Sequence, residues 1–210
     1  MSKSETTSPF THTPPNPLLI VISGPSGVGK DSVLEEMKSR GLPFHFVITA
    51  TTRNPRPDET DEVDYFFLSE DDFAKMINEG ELLEYAVVYQ DYKGIPKSQV
   101  RKALSSGKNV IMRIDVQGAE TVRKLAKDAL LIFLLPQSEE ELINRLKKRN
   151  TETKDSLKLR IATTRQEFKK IDIFDYVVIN KDDHLSDTVD VIEAIIKAEQ
   201  QRVHQRKVDL

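Results

Sequence analysis

Leu18-Leu19-Ile20-Val21-Ile22-Ser23-Gly24-Pro25-Ser26-Gly27-Val28-Gly29-Lys30-Asp31-Ser32-Val33-Leu34-Glu35-Glu36-Met37 is the stretch that decides the fold. The apolar run Leu18 to Ile22 reads as a buried strand, and Ser32 to Met37 reads as the start of an amphipathic helix. Between them stands G-x-x-x-x-G-K, whose glycines let the backbone wrap closely around a polyphosphate with its N–H groups turned inward at a helix N-terminus. Lys30 is then placed to set its ammonium on the terminal phosphates. A plain glycine turn would not need this spacing in strand-loop-helix context, so the segment predicts a nucleotide-phosphate site. One residue departs from the pattern. The position after the lysine is normally Ser or Thr, whose hydroxyl meets magnesium, and here it is Asp31. A carboxylate also binds magnesium, but beside a triphosphate its charge needs a cation or a basic partner.

The 210 residues suit one α/β domain with insertions rather than two domains. With 31 Lys+Arg against 34 Asp+Glu, no general nucleic-acid or membrane-surface footprint is expected. The chain has no cysteine, which excludes disulfides and thiol catalysis and fits a reducing compartment. The longest apolar run, Ala129 to Leu135, falls far short of the ~20 residues that span a bilayer, so a soluble protein without a membrane partner is expected. Residues 1–17 carry Pro9, Pro14, Pro15 and Pro17 among Ser and Thr, and read as a disordered tail. With Lys3 its one basic residue, this segment does not read as a transit peptide, and a cytoplasmic or an organellar stroma or matrix setting both stay open.

Further along, Phe44 to Thr49 reads as a second strand, and Thr51-Thr52-Arg53-Asn54-Pro55-Arg56-Pro57-Asp58 as a polar loop with two arginines. Tyr65 to Leu68 and Leu82 to Tyr89 read as strands, with a helix Glu70 to Glu79 between them, so that residues 50 to about 95 form an inserted β-rich lobe. The scaffold resumes with helices around Ser98–Leu104 and Ala119–Leu125 and strands Asn109–Asp115, Leu130–Leu135 and Tyr176–Asn180, which predicts a parallel sheet. A helix opened by Ser138-Glu139-Glu140-Glu141, a polar break at Asn150–Asp155 and a helix Ser156–Lys170 carry Arg145, Arg149 and Arg160. Such charge runs are usually a solvated surface. In a chain with a phosphate loop they also suit a lid that closes over the transferred group and excludes water.

Five segments in order and spacing, G-P-S-G-V-G-K, T-T-R-N-P-R, D-Y-F-F, L-L-E-Y and I-D-V-Q-G, resemble guanylate kinases from about Leu18 to Lys197. The resemblance implies an α/β P-loop nucleoside monophosphate kinase fold with a parallel core sheet, an inserted β-rich GMP-binding lobe and a helical lid. It divides the chain into the tail 1–17 and a kinase domain 18–210, with core 18–49, 98–138 and 166–210, lobe 50–97 and lid 139–165. It also implies Mg2+-dependent transfer of the ATP γ-phosphoryl group to GMP or dGMP, with no obligatory protein partner.

Residue chemistry runs beside the resemblance. Arg53, Arg56 and Tyr65 offer two guanidinium forks and a phenol to a monophosphate, and match the family's phosphate positions. Guanine presents N1–H and N2–H₂ donors beside O6. Glu84, Asp115 and Thr49 carry the complementary groups and match the base-reading positions, with Gly118 in the same I-D-V-Q-G segment. Adenine would leave those buried acceptors unpaired. Taken singly, Glu84 reads equally as a surface strand carboxylate and Asp115 as a helix N-cap. Gly24, Pro25, Ser26, Gly27, Val28, Gly29, Lys30, Asp31 and Ser32 are assigned to ATP, and the resemblance to the family implies Arg145 and Asn180 on its adenine side, although Asn180 equally suits a turn. Lys30, Arg56, Arg149 and Arg160 are assigned to charge compensation in transfer.

Two further positions depart from the family. Lys93 and Ile95 replace a usual tyrosine and hydroxyl residue; Lys93 keeps a point charge for phosphate and Ile95 is not assigned. Arg113 replaces an acid two residues before Asp115. Asp31 and Arg113 are therefore expected to form one altered charge unit, in which Asp31 either ligates magnesium or pairs with Arg113. Both features resemble the plant organellar guanylate kinases with a Lys-Asp loop. The rival readings are a P-loop kinase for another phosphorylated acceptor, such as a sugar bisphosphate, and a silent guanylate-kinase-like binding module. The first would not need Glu84, Asp115 and Tyr65 together, and the second typically has a damaged loop.

Overall fold

The computed structural model describes residues 14–88, 91–148 and 154–210. Strand β1 (Leu19–Ser23) is the middle strand of a five-stranded sheet, flanked by β7 (Val110–Arg113) and β8 (Leu130–Leu135), with β2 (His45–Phe46) and β9 (Tyr176–Ile179) at the edges. Every pairing is parallel, and Ile20 lies opposite Ile111 on one side and Leu130 on the other. Side chains alternate across a strand, so a strand covered on both faces must be apolar throughout. Leu18, Ile20 and Ile22 accordingly pack with Val33 and Met37 of α1 (Lys30–Ser39) and with Val189, Ile192 and Ile196 of α7 (Leu185–Gln200). Leu19 and Val21 pack the other way, with Val100 and Ala103 of α3 (Lys97–Ser105) and Ala119 and Val122 of α4 (Val116–Leu125).

A second, four-stranded sheet has the order β4-β3-β6-β5, from β3 (Thr49–Thr51), β4 (Tyr65–Phe67), β5 (Leu82–Val88) and β6 (Asp91–Pro96). Helix α2 (Glu70–Asn78) covers it and buries Phe73, which stacks on Tyr92 with ring centroids 5.2 Å apart. Burying that ring contributes roughly 1.5–3 kcal/mol. Ser69 caps α2, its Oγ accepting from the Asp72 N–H at 3.0 Å.

One predicted strand differs and one strand was not predicted. The run Phe44 to Thr49 is not one strand: His45 and Phe46 pair with β7 in the core, whereas Thr49 opens β3 in the second sheet. The chain crosses between sheets at Ile48, whose N–H and C=O are both bonded by the Gln99 amide at 2.9 and 2.6 Å. The segment Asp91–Pro96 is a strand despite Gly94 and Pro96, because Gly94 lets β5 and Phe73 approach; a Cβ there would lie 2.9 Å from the Glu84 carbonyl. Helices α5 (Glu139–Lys148) and α6 (Lys154–Phe168) follow β8, and Phe168 packs on Phe133 at 6.0 Å. Asn16, in the segment read as a tail, donates to Gln205 Oε1 at 2.8 Å and to the Arg206 carbonyl at 3.2 Å. Residues 1–13 and Arg149 lie outside the described residues. Among the described residues no helix is long and apolar enough to cross a membrane.

Candidate active site

The loop after β1 is shaped by two glycines with neighbours on all sides. Gly24 has φ 143°, and a Cβ there would meet the Leu134 carbonyl oxygen at 2.5 Å. Gly29 caps α1 in the left-handed region at φ 93°, ψ 25°, and a Cβ there would run into the Asn180 side-chain amide. Lys30 begins α1 and folds back over the loop, donating to the carbonyls of Gly24 at 2.5 Å and Pro25 at 2.9 Å. Burial pushes its ammonium down to about 8; Arg113 pushes the same way, against Glu167, Asp31 and Asp115. A buried ammonium that has lost hydration gains from any anion brought to it.

On one side of the loop, the Val28 carbonyl accepts from Asn180 Nδ2 at 2.8 Å and from Arg145 Nη1 at 3.0 Å. Asn180 is buried and its Oδ1 accepts from Thr188 Oγ1 at 3.0 Å, so it is a tie between β9, α7 and the loop rather than a turn residue. Arg145 also donates to Asp182 Oδ1 at 2.8 Å, to the Asn180 carbonyl at 2.8 Å and to Glu141. Gly27, Gly29, Ser32, Arg145 and Asn180 line one cavity of about 350 Å³.

On the other side, Arg113 at the end of β7 donates to Asp31 Oδ1, both side chains partly exposed. The two residues line a cavity of about 160 Å³ together with Thr49, Tyr65, Asp64 and Ile95. Arg53 stacks over the Tyr65 ring at 4.9 Å and Lys93 Nζ stands 5.8 Å from the same ring. The end of the Arg53 fork is held by Glu59 through bonds of 2.7 and 2.6 Å, which with the Arg56 N–H holds the Glu59 carboxyl down to about 2. The Arg56 side chain is exposed.

Asp115 caps α4, its Oδ1 accepting from the Gly118 N–H at 2.8 Å. The N-cap reading is therefore correct, and it fixes the carboxylate beside Glu84 of β5. Glu84 is pushed up to about 7, first by burial and then by the Asp115 charge. Gly118 leaves room for it: a Cβ there would stand 3.2 Å from Glu84 Oε2. Arg160 is half-buried on α6.

Two residues at the site escaped the sequence reading. Glu59 lies in a loop, and its partnership with Arg53 has no periodic signature. Glu167, in the last turn of α6, faces Lys30 and Asp115, and the Lys30 charge and the nearby Ser26 backbone N–H favour its ionised form. Its only cue is an acid where a helix C-terminus prefers a base. A more apolar cavity of about 400 Å³ lies between Leu142, Leu146, Ile161 and Phe168, where Leu146 backs onto Gly27 of the loop, and offers a polyphosphate no cation cluster.

A parallel sheet, a glycine loop closed by Lys30, a carboxylate-bearing lobe and a helical pair define a P-loop nucleoside monophosphate kinase. The profile of the guanylate kinase family matches residues 16–199. The chain is 48% identical over 198 residues to guanylate kinase 2, chloroplastic/mitochondrial, of Oryza sativa subsp. japonica, covering 94% of this chain and 70% of that one. It is 45% identical over 193 residues to guanylate kinase of Clostridium perfringens (strain 13 / Type A), covering 92% and 88%. Guanylate kinase from Anaplasma phagocytophilum superposes with a TM-score of 0.66 at 26% identity, over 89% of this chain and 88% of that one. The chain belongs to the guanylate kinase family, and it is an enzyme.

Proposed function

We propose that the chain transfers the γ-phosphoryl group of ATP to GMP or dGMP, giving ADP and GDP or dGDP. The observation that carries the acceptor is the Glu84 and Asp115 carboxylate pair, with Glu84 held near half-ionisation for want of donors. Guanine N1–H and N2–H₂ supply those donors, Thr49 supplies a hydroxyl at the neighbouring cavity, and adenine supplies no matching set. Arg53, Tyr65 and Lys93 face one another where the acceptor phosphate would sit.

Lys30 and the backbone N–H groups of the loop from Ser26 to Ser32 hold the donor phosphates, and Arg145 and Asn180 border the adenine end. Arg56, Arg149 and Arg160 neutralise charge between donor and acceptor, the latter two carried by the lid segment 139–165 as it closes. The acceptor phosphate is already anionic near neutral pH, so positioning and charge compensation carry the rate without a strong base.

The residues fit magnesium. Magnesium takes one or two carboxylates and completes its shell with phosphates and water. Asp31 would hold it: Arg113 occupies Oδ1, and a carboxylate keeps a second oxygen. When bound, Mg2+ would supply charge neutralisation to the donor phosphates. The chloroplastic/mitochondrial designation of the rice relative supports an organellar setting, and a cytoplasmic one stays open.

Incubation of the purified protein with ATP, Mg2+ and GMP, with products separated by chromatography, tests the reading. ADP and GDP should form in equal amounts; ADP without GDP would overturn it.

A further inference from the structure

Glu167 stands in a place that costs an acid free energy three ways. It is partly buried, it sits in the last turn of α6 where the helix dipole is negative, and the Asp115 carboxylate repels it. Packing holds it there, because the next residue, Phe168, is anchored on Phe133 in the central sheet. The attractions that offset these costs both belong to the phosphate loop: the Ser26 backbone N–H and the Lys30 ammonium. One oxygen, Oε2, is buried with no hydrogen-bond partner among the described residues. Buried carboxylate oxygens are normally satisfied, so an orphan facing the Lys30 ammonium marks an acceptor held for another arrangement of that cation.

From this we infer that Glu167 is the positioning residue of Lys30. Lys30 is bound to the Gly24 and Pro25 carbonyls, and it must release them to face a donor's terminal phosphates. Glu167 gives the displaced ammonium an anionic anchor on its other flank, so that it stays charged and aimed rather than returning to the loop carbonyls. Because Glu167 belongs to α6 and Ser26 to the loop, the same carboxylate couples the position of the lid helix to that of the lysine. This inference rests on the phosphotransfer reading of the site, and deepens it by one residue.

The sign of one substitution separates this role from its alternatives. A carboxylate that merely adds negative charge near the phosphates weakens ATP binding, so neutralising it would tighten ATP. A merely structural tie would alter thermal stability and leave the coupling to Lys30 at zero. A positioning residue does the reverse: Glu167→Gln should weaken ATP roughly 10- to 100-fold, the scale of one hydrogen bond to a charged group. The experiment is calorimetric titration of ATP with Mg2+ into wild type, Glu167→Gln, Lys30→Gln and the double variant. The effect of Glu167→Gln should shrink to less than about 2-fold in the Lys30→Gln background if it acts through Lys30. Equal or tighter ATP binding by Glu167→Gln, or an undiminished effect without Lys30, overturns the inference. If Glu167→Gln does not fold, Glu167→Asp takes its place in the same cycle, with a smaller loss expected and the same two results contradicting it. Loss of ATP affinity in a protein that makes no GDP would overturn the acceptor and leave the role of Glu167 standing.

Discussion

Replacing Glu84 by Gln should stabilise the fold and weaken GMP binding, and both effects follow from one displaced proton equilibrium. The Glu84 carboxyl is raised from 4.5 to about 7, by burial first and by Asp115 second. An acid with a raised folded pKa binds its proton more tightly folded than unfolded. Its contribution to stability is therefore fully present below 4.5 and is lost as pH rises through about 7. The displacement is worth roughly 3 kcal/mol at 1.36 kcal/mol per pH unit. Glutamine is neutral throughout, so the stability difference between variant and wild type should grow by that amount between pH 4.5 and pH 8. A constant cost for the buried amide shifts the curve and leaves its slope unchanged. GMP pulls the other way, because guanine donors bind the ionised carboxylate. The apparent Kd of wild type then scales as 1 + 10^(7 − pH), roughly a tenfold rise from pH 8 to pH 6. Ionisation of the GMP phosphate acts equally on both proteins, so the ratio of their Kd values isolates Glu84. Urea unfolding and calorimetric GMP titration at pH 5, 6, 7 and 8 supply both curves. A pH-independent stability difference, or a Kd ratio that does not change with pH, would refute the assignment.

Lys30, lowered to about 8, should impose an alkaline limb on kcat/KM for ATP near that pH, since the ammonium that meets the phosphates is lost above it; Lys30→Arg, charged throughout, should lack the limb, and a pH-rate profile of both decides. Gly29→Ala adds a left-handed Cβ, costing about 1–2 kcal/mol, and also displaces the Asn180 amide. It should lower both Tm and ATP affinity, whereas Gly41→Ala, at φ 65° with nothing within 4 Å, should lower Tm alone; equal effects on ATP would contradict the Asn180 tie. Arg113→Ala breaks a pair whose side chains are 40% and 54% exposed, so stability should fall by less than about 1 kcal/mol. The Asp31 charge left facing the phosphates should nevertheless raise KM for ATP, and an unchanged KM would count against that placement.

The core was legible because its signals are local. The run Leu18 to Ile22, apolar at every position, is what a strand buried on both faces requires, and the G-x-x-x-x-G-K spacing fixes loop and helix start together. Asp115 was legible as an N-cap, and the cap bond to Gly118 holds its carboxylate beside Glu84. What stayed hidden depends on residues far apart in the chain. The break at Ile48 is enforced by Gln99, 51 residues on, so the continuous β-propensity of Phe44 to Thr49 ran through it. Asp91–Pro96 carries turn formers, and only the closeness of β5 and Phe73 explains why Gly94 suits a strand. Glu167 meets the loop 141 residues after Ser26 through tertiary packing alone, and no spacing rule reaches that far.

The most direct test of the whole account is an acceptor ranking: kcat/KM for ADP formation with ATP and Mg2+ using GMP, dGMP, AMP, CMP, UMP and ribose 1,5-bisphosphate. Guanine reading by Glu84 and Asp115 predicts turnover confined to GMP and dGMP, with AMP lower by at least roughly 10⁴-fold, as for a site whose buried polar groups are left unpaired. Comparable turnover with AMP or with the sugar bisphosphate would contradict it.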